Sequence, residues 1–334
     1  MEGRIEAKIK VETKIKEKIH SAPDYMKRFY TSLSSKSYNT KERYVEIVIR
    51  FLLHIGNGKY PTLEQLKGVG IFEIEEYLTE ISYIKKNGEI VELQPSTYCN
   101  IHSSISKFFS FLLKYEYIEK NPFDGGMVER PKLREKDVIC LDKNEVTLVE
   151  KAIIDGVGNA TSVSKQADWK YRDFLLFWLP VINGIRVGAL SQINVDDINL
   201  EGKYIEVIEK GDRYRKIYFD DKAFKVINMW LVQRRMLLNG EKCDAFFISN
   251  RRKRITVRSI EMIIDKYVFA AIGKHLSPHK LRATFATNLY AAKRDIQLVS
   301  KALGHKTTAP VQKYVKMFDK DISNAVNMMS GIYE

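Results

Sequence analysis

The chain has 334 residues, of which 45% are hydrophobic and 29% are charged, and this composition excludes a protein that is mostly disordered. At about 150 residues per domain, the length predicts two domains or three. The 55 Lys and Arg residues outnumber 42 Asp and Glu residues, and the resulting net charge of +13 favours a polyanionic partner, either nucleic acid or an anionic membrane surface.

The cysteines and the apolar runs exclude further classes of protein. Cys99, Cys140 and Cys243 are too few and too scattered for a disulfide framework, they have no metal-ligand spacing, and nothing around them indicates a thiol nucleophile. The longest apolar run, residues 174–182, contains Pro180 and is far shorter than the about 20 residues that span a bilayer. The charged N-terminus lacks the apolar core of a signal peptide, so we expect a cytoplasmic protein without a membrane partner.

The first third of the chain is predicted to be helical after a charged N-terminal arm. Residues 1–20 are rich in Lys and Glu, and their apolar residues fit both a strand period and a helical period, so the structure of this arm stays open. Residues 21–123 place apolar residues at helical spacing, with Ser37 as an N-terminal signal, a further helix over 71–81 and another that opens at Pro95. This pattern predicts several amphipathic helices around one small core.

A polar linker separates this helical domain from a second domain. Residues 124–140 contain Gly, Pro and a charge run, which is typical of an interdomain linker. The second domain, residues 141–334, is predicted to be mostly helical. Residues 203–209 and 214–219 alternate as two strands, with Gly211 in the turn of a β-hairpin. The predicted fold class is therefore mainly α with a small β-hairpin in the second domain.

Four separated segments of the second domain hold residues that suit the chemistry of a phosphate. Arg186 lies between apolar residues, where it needs an anionic partner, either a bound phosphate or a structural carboxylate. Lys210 lies at the hairpin turn beside Arg213, where a cation can reach a DNA phosphate or remain solvated. His279 and Arg282 are three residues apart, so they share one face of a helix and can contact the same phosphate.

The fourth segment joins His305 to a tyrosine nine positions later, Tyr314. Gly304 lets the backbone turn tightly before His305, and Pro310 suits the first turn of a helix that carries Tyr314. A phenol, with an ordinary pKa of about 10, becomes a nucleophile where cations stabilise the phenolate and a base accepts its proton. Taken alone, Tyr314 fits an ordinary tyrosine of an amphipathic helix.

Together and in this order, the four segments resemble the active site of the tyrosine recombinases, the phage-integrase-like site-specific recombinases. The residues that carry the resemblance are Arg186, Lys210, His279, Arg282, His305 and Tyr314. The order of the domains along the chain also resembles that of the family, in which a helical core-binding domain is followed by a linker and a catalytic domain. The resemblance implies a two-domain, C-shaped clamp, in which a SAM-like helical domain is joined to an α+β catalytic domain.

The resemblance implies that three of these residues bind the scissile phosphate. Arg186 and Arg282 would hold its non-bridging oxygens and stabilise the charge that grows in the transition state. His305 would donate a further hydrogen bond to the phosphate. Ala189 departs from the family pattern, because the family usually has an acidic residue there that supports the arginine and lysine region.

The other three residues would carry out the reaction that the resemblance implies. Tyr314 would attack phosphorus and give a 3′-phosphotyrosyl link and a free 5′-hydroxyl. Lys210 would protonate the leaving oxygen, and His279 would act as base or positioner for the phenol. Because the covalent link stores the bond energy, religation would need no ATP, no metal and no other cofactor. Residues 306–313 depart from the family's hydroxyl-rich sequence but keep its spacing.

Contacts to the DNA backbone are expected from polar and basic residues outside this site. The candidates are Ser37, Thr40, Lys41, Arg43, Thr97 and Lys107 in the helical domain, Arg213 in the hairpin, and Arg251, Arg252, Lys253, Arg254 and Arg258 in the densest basic patch. Phosphate contacts of this kind give affinity but little sequence selectivity.

The resemblance implies partners and leaves several roles open. It implies a homo-tetramer on two double-stranded DNA sites, strand exchange through a Holliday junction, a tail helix at residues 320–332 that docks on a neighbouring subunit, and accessory DNA-bending or directionality proteins. It favours integration, excision or transposition of a mobile element. The alternatives are dimer resolution, DNA inversion, a type IB topoisomerase-like activity, a telomere resolvase and a DNA-binding protein with an inactive site. A metal enzyme is disfavoured, because the 6 histidines are scattered.

Overall fold

The chain divides into two compact units, Met1–Glu135 and Lys136–Glu334, in a computed structural model. The structure describes residues 2–86, 88–131, 139–209, 213–304 and 307–315. Each unit has its own buried apolar core, so each is a separate packing unit. Within those described ranges, no helix has the length and apolar character needed to cross a membrane.

The first unit is helical, with one small hairpin. Its elements are α1 (Glu2–Lys18), α2 (Asp24–Ser32), α3 (Tyr38–Ile55), α4 (Leu63–Lys67), α5 (Ile71–Glu80), β1 (Tyr83–Lys86), β2 (Glu89–Glu92) and α6 (Pro95–Lys114). Its core is rich in aromatic rings, and α3 packs on α6 through Phe51 and Phe109, whose ring centroids lie 5.9 Å apart in a T-shaped arrangement. The predicted bundle of amphipathic helices around one core is therefore present.

The N-terminal residues form a helix that packs on the first unit, within the charged segment 1–20 whose structure the sequence left open. Ile15 and Ile19 of this segment are buried in the core of the first unit. On the solvent side, Lys14 forms an ion pair of 2.7 Å with Glu42 of α3. The spacing of four between the buried isoleucines is the helical one, and it decides between the two periods that the sequence left open.

A difference from the predicted fold is the hairpin β1–β2, in a region that the apolar spacing had predicted as helical. Its strands are antiparallel, with Tyr83 opposite Glu92 and Lys86 opposite Glu89. Gly88, in the turn, has a φ of 90°. An Asn-Gly pair between alternating residues is a strong hairpin signal, and the sequence carries one immediately after Lys86. The hairpin could therefore have been predicted.

The second unit combines helices with a small sheet. Its elements are α7 (Lys143–Asp155), α8 (Ala160–Ala167), α9 (Lys170–Asn183), α10 (Val187–Ser191), β3 (Ile198–Asn199), β4 (Tyr204–Glu209), β5 (Arg213–Tyr218), α11 (Asp221–Leu238), α12 (Val257–Ile272), α13 (Pro278–Lys293), α14 (Ile296–Ala302) and α15 (Gln312–Val315). The three strands are antiparallel in the order β3-β4-β5. The predicted fold class, mainly α with a small sheet in this half, is confirmed.

Helix α9 is the central element of the second unit. It packs against α7, α11, α12 and α13, and it is apolar on most of its surface for that reason. Its first turn holds a buried ion pair, in which Arg172 lies 2.7 Å from Asp173. Tyr267 of α12 donates its hydroxyl to Asp173 at 2.9 Å. These contacts hold α9 in place within the unit. They therefore also determine where the last residue of α9 lies.

Candidate active site

The first turn of the site follows the last residue of α9. Gly184 has a left-handed φ of 59° and ends the helix by donating its N–H to the carbonyl of Pro180 at 2.9 Å. A Cβ atom at this position would lie 2.5 Å from the ring of Phe285, so both the backbone and the space require glycine. Two residues later, Arg186 lies half-buried at the N-cap of α10. The predicted Arg186 therefore stands at the break between two helices.

A second turn follows the last residue of α14. Gly304 has a φ of 65°, and its N–H donates to the carbonyl of Lys301 at 2.9 Å. The hydroxyl of Ser300 donates to the carbonyl of Thr307 at 2.9 Å, which ties the two sides of this loop together. The predicted His305 comes next in the chain after Gly304, but it lies outside the described residues.

Arg282 of α13 connects the two turns. The residue is only 5% exposed, and its two terminal nitrogens donate to the carbonyls of Gly184 and Leu303. Carbonyls at helix C-termini carry partial negative charge, so a guanidinium is well placed between two of them. A guanidinium has several N–H donors in one plane, and these two bonds fix the orientation of that plane. The predicted Arg282 is thus held in one position before any DNA is bound.

Tyr314 lies on α15 and packs against α13 and the loop after α14. The residue is 5% exposed and belongs to a small apolar cluster with Ala283, Ala286 and Leu303. Burial raises the pKa of the Tyr314 phenol, and the nearby positive charge of Arg282 partly opposes this increase. At neutral pH the phenol is therefore protonated, and a base is required to make it a nucleophile.

His279 begins the helix that carries Arg282. It lies in the first turn of α13, directly after Pro278, and its side chain is exposed. The two residues are three apart on one helix, so they share a face. The exposed imidazole of His279 and the buried guanidinium of Arg282 therefore lie along one side of α13.

Strand β5 is linked to two turns of the site through Arg215, whereas the turn of the β4–β5 hairpin lies outside the described residues. Glu209 pairs with Arg213 as the last rung of the ladder, and the predicted Lys210 lies in the residues 210–212 that the structure leaves out. Arg215 of β5 donates to the carbonyls of Ala302 and Asn183, the last residues of α14 and α9. The contact of Arg215 with both helix ends was not predicted from the sequence.

No carboxylate lies in α10 at the position where the resemblance implies one. Ala189 occupies that position, and it is buried in the apolar core of the second unit. The methyl group of Ala189 is packed in this core. Any side chain that orients Arg186 therefore belongs to another part of the chain.

The predicted basic patch of the second unit divides into two groups. Arg254 is half-buried and donates to backbone carbonyls at the end of α10, at 3.1 and 3.2 Å. Arg252 forms an ion pair of 2.6 Å with a glutamate. Arg251, Lys253 and Arg258 are exposed. Arg254 therefore has a structural role already, and the exposed group is the better candidate for DNA phosphates.

Only some candidates of the first unit lie at the starts of its helices, because Arg43 follows the first turn of α3 and Lys107 lies in the second half of α6. Ser37 caps α3 by accepting the N–H of Thr40 at 3.4 Å. The ammonium of Lys41 lies 5.3 Å from the centre of the Tyr38 ring, which restricts its direction. The remaining candidates are exposed: Arg43 on α3, and Thr97 and Lys107 on α6. The starts of helices carry backbone N–H groups that suit phosphate contacts.

Relatives in sequence agree on one family. The model described as "Phage integrase family" matches residues 140–321. Tyrosine recombinase XerC of Caldanaerobacter subterraneus subsp. tengcongensis is 28% identical over 318 residues, which cover 90% of this chain and 84% of the relative. Tyrosine recombinase XerC of Vibrio cholerae serotype O1 is 24% identical over 299 residues, covering 87% of this chain and 88% of the relative.

Solved structures share the fold. The XerH site-specific recombinase, bound to a palindromic difH substrate in a post-cleavage complex, has a TM-score of 0.69 at 19% identity and covers 96% of this chain and 89% of its own. The Tn1549 transposon integrase, in complex with circular intermediate DNA, has a TM-score of 0.63 at 18% identity and covers 87% of this chain and 94% of its own. At this level of identity the likeness establishes a common architecture.

Proposed function

The chain belongs to the phage integrase family of tyrosine recombinases, as the sequence predicted, and from this premise we propose how it cleaves and rejoins DNA. Its activity is site-specific recombination. The hydroxyl of Tyr314 attacks the scissile phosphate and produces a 3′-phosphotyrosyl intermediate. One arrangement supports this proposal: the buried Tyr314 packs against α13, the helix that carries Arg282, and Arg282 donates to the carbonyl of Gly184 in the turn that leads to Arg186.

Each bond change in the cleavage step has a residue assigned to it. The phenolic oxygen of Tyr314 forms a bond to phosphorus while the bond from phosphorus to the 5′ oxygen breaks. The proton of the phenol passes to His279, and Lys210 gives a proton to the leaving 5′ oxygen. Religation is the same sequence in reverse, so the energy of the phosphodiester is conserved in the tyrosyl link.

Arg186 and Arg282 stabilise the transition state by binding the non-bridging oxygens of the phosphate. The bonds from Arg282 to two carbonyls support this assignment, because a guanidinium already fixed in place does not reorganise when charge develops. Its near-complete burial excludes water from one side of the phosphate site, which strengthens the electrostatic interaction. His305 donates a further hydrogen bond to the same phosphate.

Covalent cleavage of a nicked duplex tests this proposal. The substrate is a nicked duplex from DNA that flanks the source locus, incubated with the protein in EDTA and then denatured. We expect a protein–DNA adduct with the wild type and none with Tyr314→Phe, which keeps the ring in its apolar cluster and removes only the nucleophilic oxygen. An adduct that persists in Tyr314→Phe would identify a different nucleophile, and tight binding without any adduct would favour an inactive DNA-binding protein.

Strand exchange between two DNA sites distinguishes a recombinase from a type IB topoisomerase-like enzyme. We propose that two sites are held by a homo-tetramer and that strands are exchanged in pairs through a Holliday junction. We propose that this exchange serves to move a mobile element. A product that joins two labelled sites is the expected result, whereas relaxed plasmid without such a junction would favour the topoisomerase-like alternative.

The C-terminal tail is proposed to hold the tetramer together. Residues 320–332 lie outside the described part of the chain, and the proposal rests on their apolar residues at helical spacing, Ile322, Ala325, Val326 and Met329. We expect a chain truncated after Asp319 to lose recombination and to keep binding to a single site, as measured by gel shift and by the two-site junction assay. Full recombination by the truncated chain would contradict the exchange of this tail between subunits.

A further inference from the structure

Strand β5 carries a charged side chain on the face of the sheet that packs into the core. Ile217 of β5 and its partner Ile205 of β4 are both buried. Arg215 lies two residues before Ile217, on the same face, and is half-buried, whereas the intervening Lys216 is exposed. A guanidinium on this face is costly unless it meets acceptors.

The acceptors of Arg215 are backbone carbonyls at the ends of two helices. Its Nη1 donates to the carbonyl of Ala302, the last residue of α14, and its Nη2 donates to the carbonyl of Asn183, the last residue of α9, at 3.4 Å. Helix C-termini carry partial negative charge, so a cation stabilises both ends at once. Arg215 therefore bridges the same two turns that lead to Arg186 and His305.

Arg282 bonds the next carbonyl in each of these turns. It donates to Gly184, directly after Asn183, and to Leu303, directly after Ala302. The two arginines thus form a paired bridge across consecutive carbonyls. They come from different elements, because Arg282 lies on α13 and Arg215 lies on the strand that leads back to Lys210.

We propose that Arg215 is a positioning residue that holds the Lys210 hairpin in register with the phosphate-binding residues. This inference rests on the proposed function, in which Lys210 protonates the leaving oxygen. Arg215 touches neither the phosphate nor the nucleophile in this scheme. It acts by joining β5, the strand that follows Lys210 in the chain, to the turns that precede Arg186 and His305. A misplacement of about 1 Å at a reacting group can cost about 100-fold in rate.

The test is the rate of single-turnover cleavage by Arg215→Lys on two substrates. Lysine keeps the charge but has one nitrogen, so it cannot bond two carbonyls in the fixed fork of a guanidinium. One substrate is the natural nicked duplex, and the other has sulfur in place of the 5′ bridging oxygen. A thiolate leaves without needing a proton, since thiols have a pKa of about 8.5. Lys210→Ala serves as the reference for a lost proton donor.

We expect Arg215→Lys to cleave the natural duplex about 100-fold more slowly than the wild type, with unchanged affinity for DNA. On the sulfur substrate we expect most of this loss to disappear, as it should for Lys210→Ala. The ratio of the two rates within one preparation does not depend on the fraction of folded protein. Arg215→Gln, which keeps one N–H donor group, is measured in the same way in case the lysine variant is poorly folded.

Arg234 of α11 offers a matched control. It is 8% exposed and donates to two backbone carbonyls as Arg215 does, Ala245 at 2.9 Å and Cys243. Neither carbonyl belongs to a turn that carries a predicted catalytic residue. We expect Arg234→Lys to lower the melting temperature and to leave the rates on both substrates at wild-type levels.

Three outcomes would overturn the inference. Wild-type cleavage of the natural duplex by Arg215→Lys would show that the bridge has no part in the reaction. An equal loss on the oxygen and sulfur substrates would show that Arg215 does not act through the proton donor. No adduct with the wild type on either substrate would overturn the proposed function, and this inference with it, whereas the first two outcomes leave the proposed function in place.

Discussion

Arg282→Ala is expected to reduce both DNA cleavage and the stability of the second unit. Cleavage should fall by at least about 1,000-fold, because a donor fixed beside the transition-state charge is lost. The carbonyls of Gly184 and Leu303 would also lose their donor in a buried site, and each unsatisfied group costs about 1–3 kcal/mol. Single-turnover cleavage and thermal unfolding measure the two effects separately.

Arg186→Ala is the matched variant for this prediction. Both arginines are assigned to the same phosphate, but Arg186 is only half-buried at the start of α10, whereas Arg282 is almost fully buried. We expect Arg186→Ala to lose cleavage to a similar extent, with a much smaller decrease in melting temperature. Equal losses of melting temperature in the two variants would contradict the double role of Arg282.

The catalytic residues could be predicted because their order along the chain is itself informative. Each segment, such as the pair His279 and Arg282, is weak evidence, but four segments in one order are specific to a family. The turn at Gly184 was not predicted, because residues 171–194 were expected to be helical throughout. Its need for glycine depends on the ring of Phe285, about which local sequence says nothing.

Arg215 shows what a pattern of residue types cannot reveal. Its acceptors are backbone carbonyls far away in the chain, at Asn183 and Ala302, and any residue type presents the same carbonyl. A side chain that binds backbone leaves no complementary residue to find in the sequence. The one available signal was a charge at an inward position of an alternating strand, beside Ile217.

The N-terminal helix and the first hairpin were missed for a different reason, because their signals were present but compete with others. In α1, apolar residues at alternate positions imitate a strand, and only the burial of Ile15 and Ile19 against the first unit selects the helix. In β1–β2, the strands are short and the side chains of β2 are exposed, so β2 lacks the buried apolar face by which strands are usually recognised. Tertiary packing settled the first case, and turn chemistry settled the second.

His279→Gln is expected to change how the rate of cleavage depends on pH. A phenol with a pKa of about 10 is ionised in about one molecule in 1,000 at pH 7, and burial raises the pKa of Tyr314 further. If His279 accepts the phenolic proton, its loss leaves only this small phenolate fraction to react. We expect the variant to be about 100- to 10,000-fold slower than the wild type at pH 7.

The sign of the pH effect separates a base from a positioning role. The reactive phenolate becomes more abundant as pH rises toward the raised pKa of Tyr314, so the rate of His279→Gln should increase about tenfold per pH unit between pH 7 and 9. The wild type should be nearly constant over this range, because the imidazole accepts the phenolic proton during the attack and no prior ionisation of Tyr314 is needed. Single-turnover cleavage at saturating protein, measured across this range, gives both profiles. If the variant is instead slower by one constant factor at every pH, His279 orients the phenol without taking its proton, and the base must be sought among other groups near Tyr314.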